Sequence, residues 1–313
     1  MKEQLVAIVG PTAVGKTKLG VALAKAFDGE VLSADSMQVY RGMDIGTAKI
    51  KPEEMENIPH HFIDILDPEE EYSVKEFQEQ ATRLITKLNK QGKLPILVGG
   101  TGLYVQAVTH QFQFAQTDRT EEVRLKWENF LKQHGTQALY EVLKERDPVY
   151  AKKVHPNNYR RVLRALEITE LTGQSMSDYQ QDWDKPSPYQ LVMIGLTMER
   201  DKLYERINQR VDQMIEQGLI DEVKALLARG LNAEQVTSLQ AIGYKEIMLY
   251  LEGELSKEEA INLLKRNTRR FAKRQLTWFR RMKEITWFDV TDQTKWNDLE
   301  EIIKQHVKEN LNR

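Results

Sequence analysis

The chain of 313 residues contains no cysteine. That absence removes disulfides, thiolate zinc sites and cysteine nucleophiles together, and it suits a reducing compartment. Long apolar runs are missing too. No window approaches the roughly 20 residues of a membrane span, and no charged leader with an apolar stretch precedes the first apolar segment, so no membrane partner and a cytoplasmic location are expected. Nor is there an excess of either charge. With 45 Lys and Arg against 47 Asp and Glu, the formal net charge is −2, and any polyanion partner must be sought in a local cluster. There is no repeat of solenoid period and no low-complexity tract. What remains is an ordinary globular composition, 41% apolar over a length that holds one large domain or two. Nothing in it requires more than a monomer.

The most informative local feature is the apolar, β-branched run Val6-Ala7-Ile8-Val9 followed by Gly10-Pro11-Thr12-Ala13-Val14-Gly15-Lys16-Thr17. This reads GxxxxGK[ST] directly after a strand, the pattern of a phosphate-binding loop. Its glycines let backbone N–H groups turn inward around phosphate oxygens, and the following helix points its positive end at them. Lys16 supplies a mobile cation and the Thr17 hydroxyl can hold Mg²⁺. A bound polyphosphate follows, but neither its identity nor its fate.

The first hundred residues alternate strand and helix patterns: Leu5 to Val9, a helix to about Phe27, Glu30 to Ser33, a further helix, then Leu94 to Val98. That order predicts an α/β fold with a parallel sheet. Ser73 and Glu76 stand in capping-box spacing ahead of Phe77, Ala81, Leu84, Ile85 and Leu88, and Gly92 closes that helix. From about residue 113 to 188 the strand signals vanish and short helix-like segments follow, broken at Pro148, Pro156 and Pro186. A mostly helical insertion domain over 113–188 is expected, within a core formed by 1–112 and 189–313. Leu191 to Met198 reads as a returning core strand, and Leu203, Ile207, Val211 and Met214 mark an amphipathic helix ending at Gly218.

Several residues carry open readings. Asp35 and Ser36 follow the second strand, where an open parallel sheet places its ligands, so Asp35 is a general base, a metal-bridging acid or a turn cap. The third strand delivers Gly99-Gly100-Thr101 where an ATP-hydrolysing loop protein would carry a Mg²⁺-holding acid. Thr101 there is a phosphate donor or an ordinary cap. Arg206 and Arg210 share a helix face and reach phosphate or merely solvent, spacing alone favouring solvent. Behind a second capping box, Ser256 and Glu259, one predicted helix carries Lys265, Arg266, Arg269, Arg270, Lys273, Arg274, Arg280, Arg281 and Lys283 with no acid between them, interleaved with Phe271, Trp278 and Phe279. Solvated faces normally alternate acids with bases, so a polyanion partner is the better reading. With Arg160, Arg161 and Arg164 in the insertion as a second cluster, an extended anion such as RNA fits better than a nucleotide. A small-molecule or nucleotide kinase would use the same loop on ATP and the same Asp35, yet has no need of the basic helix. A guanine-nucleotide switch is disfavoured because Asn89-Lys90-Gln91-Gly92 breaks the base-reading pattern at its acid, and Phe62-Ile63-Asp64 and Trp287-Phe288-Asp289 are weak candidates for a Mg²⁺-holding strand end.

Taken together, the loop from Gly10 to Thr17, the stretch Ser33-Ala34-Asp35-Ser36-Met37-Gln38-Val39-Tyr40-Arg41-Gly42-Met43-Asp44-Ile45-Gly46-Thr47-Ala48-Lys49, Gly99-Gly100-Thr101-Gly102-Leu103-Tyr104 and Lys273-Arg274-Gln275-Leu276-Thr277-Trp278-Phe279-Arg280 closely resemble the bacterial tRNA dimethylallyltransferases, almost end to end. The resemblance implies a P-loop NTPase-like parallel sheet core flanked by helices, with a mostly helical insertion domain contacting tRNA. It implies that a dimethylallyl group passes from dimethylallyl diphosphate to the N6 amine of the adenosine just 3′ of the anticodon, in tRNAs whose anticodon ends in A. It implies Asp35 as proton acceptor, and Lys16, Thr101, Arg210 and Mg²⁺ at Thr17 around the leaving diphosphate. Contacts to the tRNA anticodon stem-loop are implied at Asp35, Ser36, Met37, Gln38, Thr101, Arg124, Arg160, Arg161, Arg164, Gln240, Gly243, Tyr244, Lys245, Lys273, Arg274, Gln275, Trp278 and Arg280. Eukaryotic relatives append a zinc-finger segment, for which this chain has neither the cysteines nor the length.

Overall fold

The computed structural model describes residues 2–114, 120–179, 185–232 and 236–311. Residues 115–119 and 180–184, within the expected insertion, lie outside that description. The chain divides into two compact units, Met1–Thr109 with Ser187–Arg313, and His110–Pro186.

The larger unit is built on β1 (Gln4–Val9), β2 (Gly29–Ser33), β3 (His60–His61), β4 (Leu94–Val98), β5 (Gln190–Thr197) and β6 (Ile285–Asp289). All pair in parallel, in the order β3-β2-β4-β1-β5-β6. Its helices are α1 (Lys16–Phe27), α2 (Val74–Lys90) and α3 (Gly102–His110), then α8 (Arg200–Glu216), α9 (Leu219–Ala228), α10 (Tyr244–Leu251), α11 (Lys257–Phe279) and α12 (Trp296–Leu311); the smaller unit carries α4 (Glu121–Arg146), α5 (Pro148–Ala151), α6 (Tyr159–Thr172) and α7 (Met176–Tyr179).

The continuous apolar runs of the central strands follow from helices on both faces of the sheet. Period-two geometry divides β1 between two cores. Val6 and Ile8 pack with Leu19 and Leu23 of α1 and Ile303 and Val307 of α12, whereas Leu5, Ala7 and Val9 pack with Phe77, Ala81 and Ile85 of α2. Both capping boxes form: Ser73 with Glu76, and Ser256 with Glu259, each exchange side-chain and backbone hydrogen bonds. The short edge strands escape the periodicity expected of a core strand. Trp287-Phe288-Asp289 is edge strand β6, and the Asp289 carboxylate caps its own turn by accepting from the Thr291 N–H at 2.7 Å. Asp64, past β3, pairs with Lys49. The smaller unit has its own core of Trp127, Leu139, Leu143, Tyr150, Val162 and Leu166, and its long helix kinks at Gly135, whose φ is 80°.

The basic helix also differs from its expected length. α11 ends at Phe279 with Arg280 as its cap, so Arg281 and Lys283 lie beyond it.

Candidate functional site

The strand order sets the site. β4 lies between β2 and β1, so the loops leaving the carboxyl ends of β1, β2 and β4 emerge side by side at the point where the chain's crossovers diverge. They enclose a cavity of about 640 Å³ whose lining includes Thr12, Lys16, Thr17, Asp35, Arg206 and Arg210.

The phosphate loop is held in a conformation few residues tolerate. Gly10 has φ 140°, and a Cβ there would fall 2.4 Å from the carbonyl oxygen of Leu196 on the neighbouring strand. Ala13, with φ 66°, is a non-glycine residue in the left-handed region. Lys16 Nζ donates to the Pro11 carbonyl at 2.6 Å, within its own loop. Burial, seconded by the Arg210 charge, lowers the Lys16 pKa to about 7. Without an anion, Lys16 therefore loses its proton through neutral pH, while a bound diphosphate favours the charged form. Diphosphate binding at pH 8 should accordingly take up a proton at Lys16 and weaken as pH rises above about 7. Titration calorimetry in two buffers of different ionisation enthalpy, with Lys16→Met as the reference lacking that uptake, measures this; equal uptake in both proteins refutes it.

Asp35 stands half-buried in the turn after β2. Its Oδ1 accepts from the Met37 N–H at 2.9 Å. Burial nonetheless raises its pKa, opposed by the Met37 amide, the Lys16 charge and the Gln38 amide. A carboxylate held this way is more basic than an exposed one. Thr101, a phosphate donor or a cap by its sequence position, has a structural partner. Its Oγ1 accepts from the Ser36 N–H at 3.1 Å and lies 3.4 Å from Ser36 Oγ, tying the β4 loop to the Asp35 turn.

Spacing alone favours a solvated face for Arg206 and Arg210, and the structure corrects this. Arg206 Nε donates to the Ala13 carbonyl at 3.0 Å and Arg210 Nη1 to Thr12 Oγ1 at 3.4 Å, turning both guanidinium groups onto the phosphate loop. Burial and the neighbouring Arg206 lower the Arg210 pKa from a value so high that the group stays charged.

Three of the expected tRNA contacts are buried in this structure. Gln275 is only 5% exposed; its Oε1 accepts from the Thr12 N–H at 2.9 Å and its Nε2 donates to the Gly100 carbonyl at 3.1 Å. It therefore braces the phosphate loop against the β4 loop from α11. Tyr244 is fully buried, its hydroxyl donating to Glu222 at 2.6 Å, and Gly243 is buried with its N–H on Glu246. Trp278 is half-buried with its ring against Gly102, and Phe279 is a core residue. Of the cations on α11, Lys265 pairs with Asp212 and Arg269 donates to Asn208, both on α8. Arg266, Arg270, Lys273 and Arg274 are exposed, as are Arg280 and, ahead of α10, Gln240. In the smaller unit Arg160 and Arg161 are exposed on α6, while Arg164 pairs with Glu167 and Arg124 with Glu128. Lys245 is half-buried and lies 3.8 Å from Glu246.

Comparison with known proteins decides the family. Residues 38–282 match the family model described as IPP transferase. This chain belongs to the IPP transferase family. The matched stretch holds Gln38, Thr101, Arg206, Arg210 and Gln275, and the phosphate loop precedes it. The tRNA dimethylallyltransferase of Halalkalibacterium halodurans is 62% identical over 281 residues, covering 90% of this chain and 89% of the relative; that of Oceanobacillus iheyensis is 55% identical over 280 residues, covering 90% and 89%. Among solved structures, the tRNA isopentenylpyrophosphate transferase of Bacillus halodurans covers 99% of both chains at 57% identity with a TM-score of 0.74. A eukaryotic dimethylallyltransferase acting on tRNA matches with a TM-score of 0.86 at 32% identity, over 99% of this chain and 80% of that one. As expected from the sequence, the fold is that of this family: a parallel sheet flanked by helices. No helix among the described residues is long and apolar enough to cross a membrane.

Proposed function

We propose that this chain transfers a dimethylallyl group from dimethylallyl diphosphate to the N6 amine of the adenosine 3′-adjacent to the anticodon, in tRNAs whose anticodon ends in A. The observation that carries the reading is one cavity in which Asp35 faces the cationic lining of a phosphate loop, in a chain of the IPP transferase family. Relatives named for allyl transfer to tRNA set the kinase alternative aside.

An adenine amine is a poor nucleophile because its lone pair is delocalised into the ring. Acceleration must come from departure of the diphosphate, with donors aimed at the charge that develops on it. Lys16 and Arg210 line the same cavity as Asp35 and would supply such donors together with amides of the phosphate loop. The C–O bond to diphosphate breaks, the N6–C bond forms, and the N6 proton passes to Asp35. The Thr17 hydroxyl, at the first turn of α1, can hold Mg²⁺. Among the described residues no cluster of His, Asp or Glu suited to a metal is present. The ion's remaining ligands would be diphosphate oxygens and water, a donor set that Mg²⁺ accepts; bound there, it would supply further positive charge to the leaving group. Reaching N6 requires the adenosine to leave its stack.

For the tRNA, the exposed cations Arg266, Arg270, Lys273, Arg274 and Arg280, on α11 and at its end, would supply a phosphate-binding surface. The Lys273→Ala, Arg274→Ala double variant should weaken tRNA binding and lower the slope of log affinity against log salt by about one for each phosphate left without its cation. An unchanged slope would move the RNA surface elsewhere. The lack of cysteine supports work in a reducing cytoplasm, and nothing in the site calls for a second copy of the chain.

The deciding experiment incubates the protein with an unmodified anticodon stem-loop, Mg²⁺ and labelled dimethylallyl diphosphate, in parallel with labelled ATP. Label moving from the allyl donor to RNA is the expected result. Label moving only from ATP overturns the proposal.

A further inference from the structure

The segment between β2 and β3 presents Asp35 and Gln38 to the cavity, and it contains no regular strand or helix before the short turn at Pro52–Met55. Backbone of that kind takes its shape from whatever its polar groups bond to. Its inner end is bonded to one carboxylate. Glu222, in the first turn of α9, accepts at Oε2 from the N–H groups of Asp44 and Ile45, at 3.0 and 2.7 Å, and at Oε1 from that of Gly46 at 3.1 Å. Oε1 also accepts from the Tyr244 hydroxyl at 2.6 Å. The Tyr244 ring lies so close to Gly46 that a Cβ there would fall 2.5 Å from it, so carboxylate and ring grip the same peptide from two sides. The next two residues carry the consequence to the site. The Thr47 and Ala48 carbonyls accept from Gln38 Nε2 at 3.3 and 3.5 Å, and Gln38 Oε1 accepts from Ser33 Oγ, at the end of β2, at 3.0 Å. Gln38 thereby closes the turn whose amides hold the Asp35 carboxylate.

We infer that Glu222 is a positioning residue for the reaction: by holding the 44–46 backbone and, through Gln38, the turn after β2, it sets where the Asp35 carboxylate stands relative to the phosphate loop. Lys49 ties the outer part of the same segment to Asp44, Asp64 and the Tyr40 carbonyl, so loss of the Glu222 clamp displaces the inner end without releasing the whole. Four donors meet two oxygens. Glu222→Gln, with its near-equal shape, replaces one acceptor by an NH₂ group, so either the Asp44 and Ile45 N–H groups lose their acceptor or the Gly46 N–H does and the Tyr244 hydroxyl must reverse its bond.

The inference rests on Asp35 being the proton acceptor, and the test separates the two. Steady-state kinetics and stem-loop affinity are measured for Glu222→Gln, Tyr244→Phe and Asp35→Asn. Displacement of the acceptor by an ångström or so is expected to lower kcat of Glu222→Gln by about 10²-fold, with donor KM and tRNA affinity unchanged. Tyr244→Phe, which keeps the ring and the three amide bonds, falls in the same direction by less. A kcat near normal in Glu222→Gln, or donor KM and tRNA affinity falling away in step with kcat, overturns the inference. Should Glu222→Gln not fold, Tyr244→Phe decides: a fall in kcat alone supports the inference and normal kcat overturns it. If Asp35→Asn turns over normally, the underlying reading is what fails; if Asp35→Asn is inactive while a folded Glu222→Gln is normal, only the inference does.

Discussion

Asp35→Asn should retain tRNA binding and lose about 10²–10⁴-fold in kcat, the range expected when a positioned general base is removed. Asn keeps the size of Asp and can still accept from the Met37 N–H at the same oxygen, so the turn need not move. What it lacks is the capacity to take a proton. Loss of turnover with unchanged stem-loop affinity would therefore report chemistry and not folding. The same residue should set the acid limb of the pH profile. Burial raises the Asp35 pKa against the opposing amides and Lys16, and only the ionised carboxylate can act as a base, so kcat should fall as pH drops through a value above the usual carboxylate range. An acid limb at or below that range, or near-normal kcat in Asp35→Asn, would show that another group accepts the proton.

Arg210→Ala should cost about 10²–10³-fold in kcat, comparable to removing one preorganised donor from a site of developing negative charge. Arg206 is already committed to the Ala13 carbonyl, whereas the Arg210 contact to Thr12 Oγ1, at 3.4 Å, is long enough to yield to a phosphate oxygen. Arg210 is also desolvated, so its charge acts through a less screened medium than a surface cation. Arg210→Lys should restore little, because a point charge on a flexible stem does not reproduce a planar fork of donors. Rapid-quench measurement of single-turnover rates with saturating donor isolates this effect from product release. A rate within a few-fold of the parent would remove Arg210 from the leaving-group site and leave Lys16 and the loop amides to carry the charge.

The two predictions draw on unequal kinds of information. The phosphate loop is legible in the residues because its job is done by contiguous backbone: a strand, two glycines at fixed spacing and a helix start specify it within a dozen positions. Capping boxes at Ser73 and Ser256 are legible for the same reason. The alternation of strands and helices foretells a parallel sheet, since buried parallel strands must be apolar on both faces. Edge strands β3 and β6 escape, being too short or too half-exposed to carry that signature.

The basic helix shows where sequence reading stops. Its charge is plain, but which cations face solvent is not: Lys265 and Arg269 turn to α8, and Gln275, an expected RNA contact, turns inward. Helical periodicity says which residues share a face and not which neighbour that face meets. Likewise Arg206 and Arg210 read as solvated until α8 is placed beside the phosphate loop.

By itself, then, the amino-acid sequence determined the patterns carried by short segments: a phosphate-loop motif, a carboxylate after the second strand, glycines where a hydrolytic acid would stand, and a run of cations with no acid between them. Only the tertiary structure decided what holds these parts to one another. Gln275 meets Thr12 across 263 residues and Glu222 meets Gly46 across 176. Such pairs leave no mark in local pattern because the hydrogen bonds that define them exist only after the hydrophobic faces of distant helices have been buried on the same sheet.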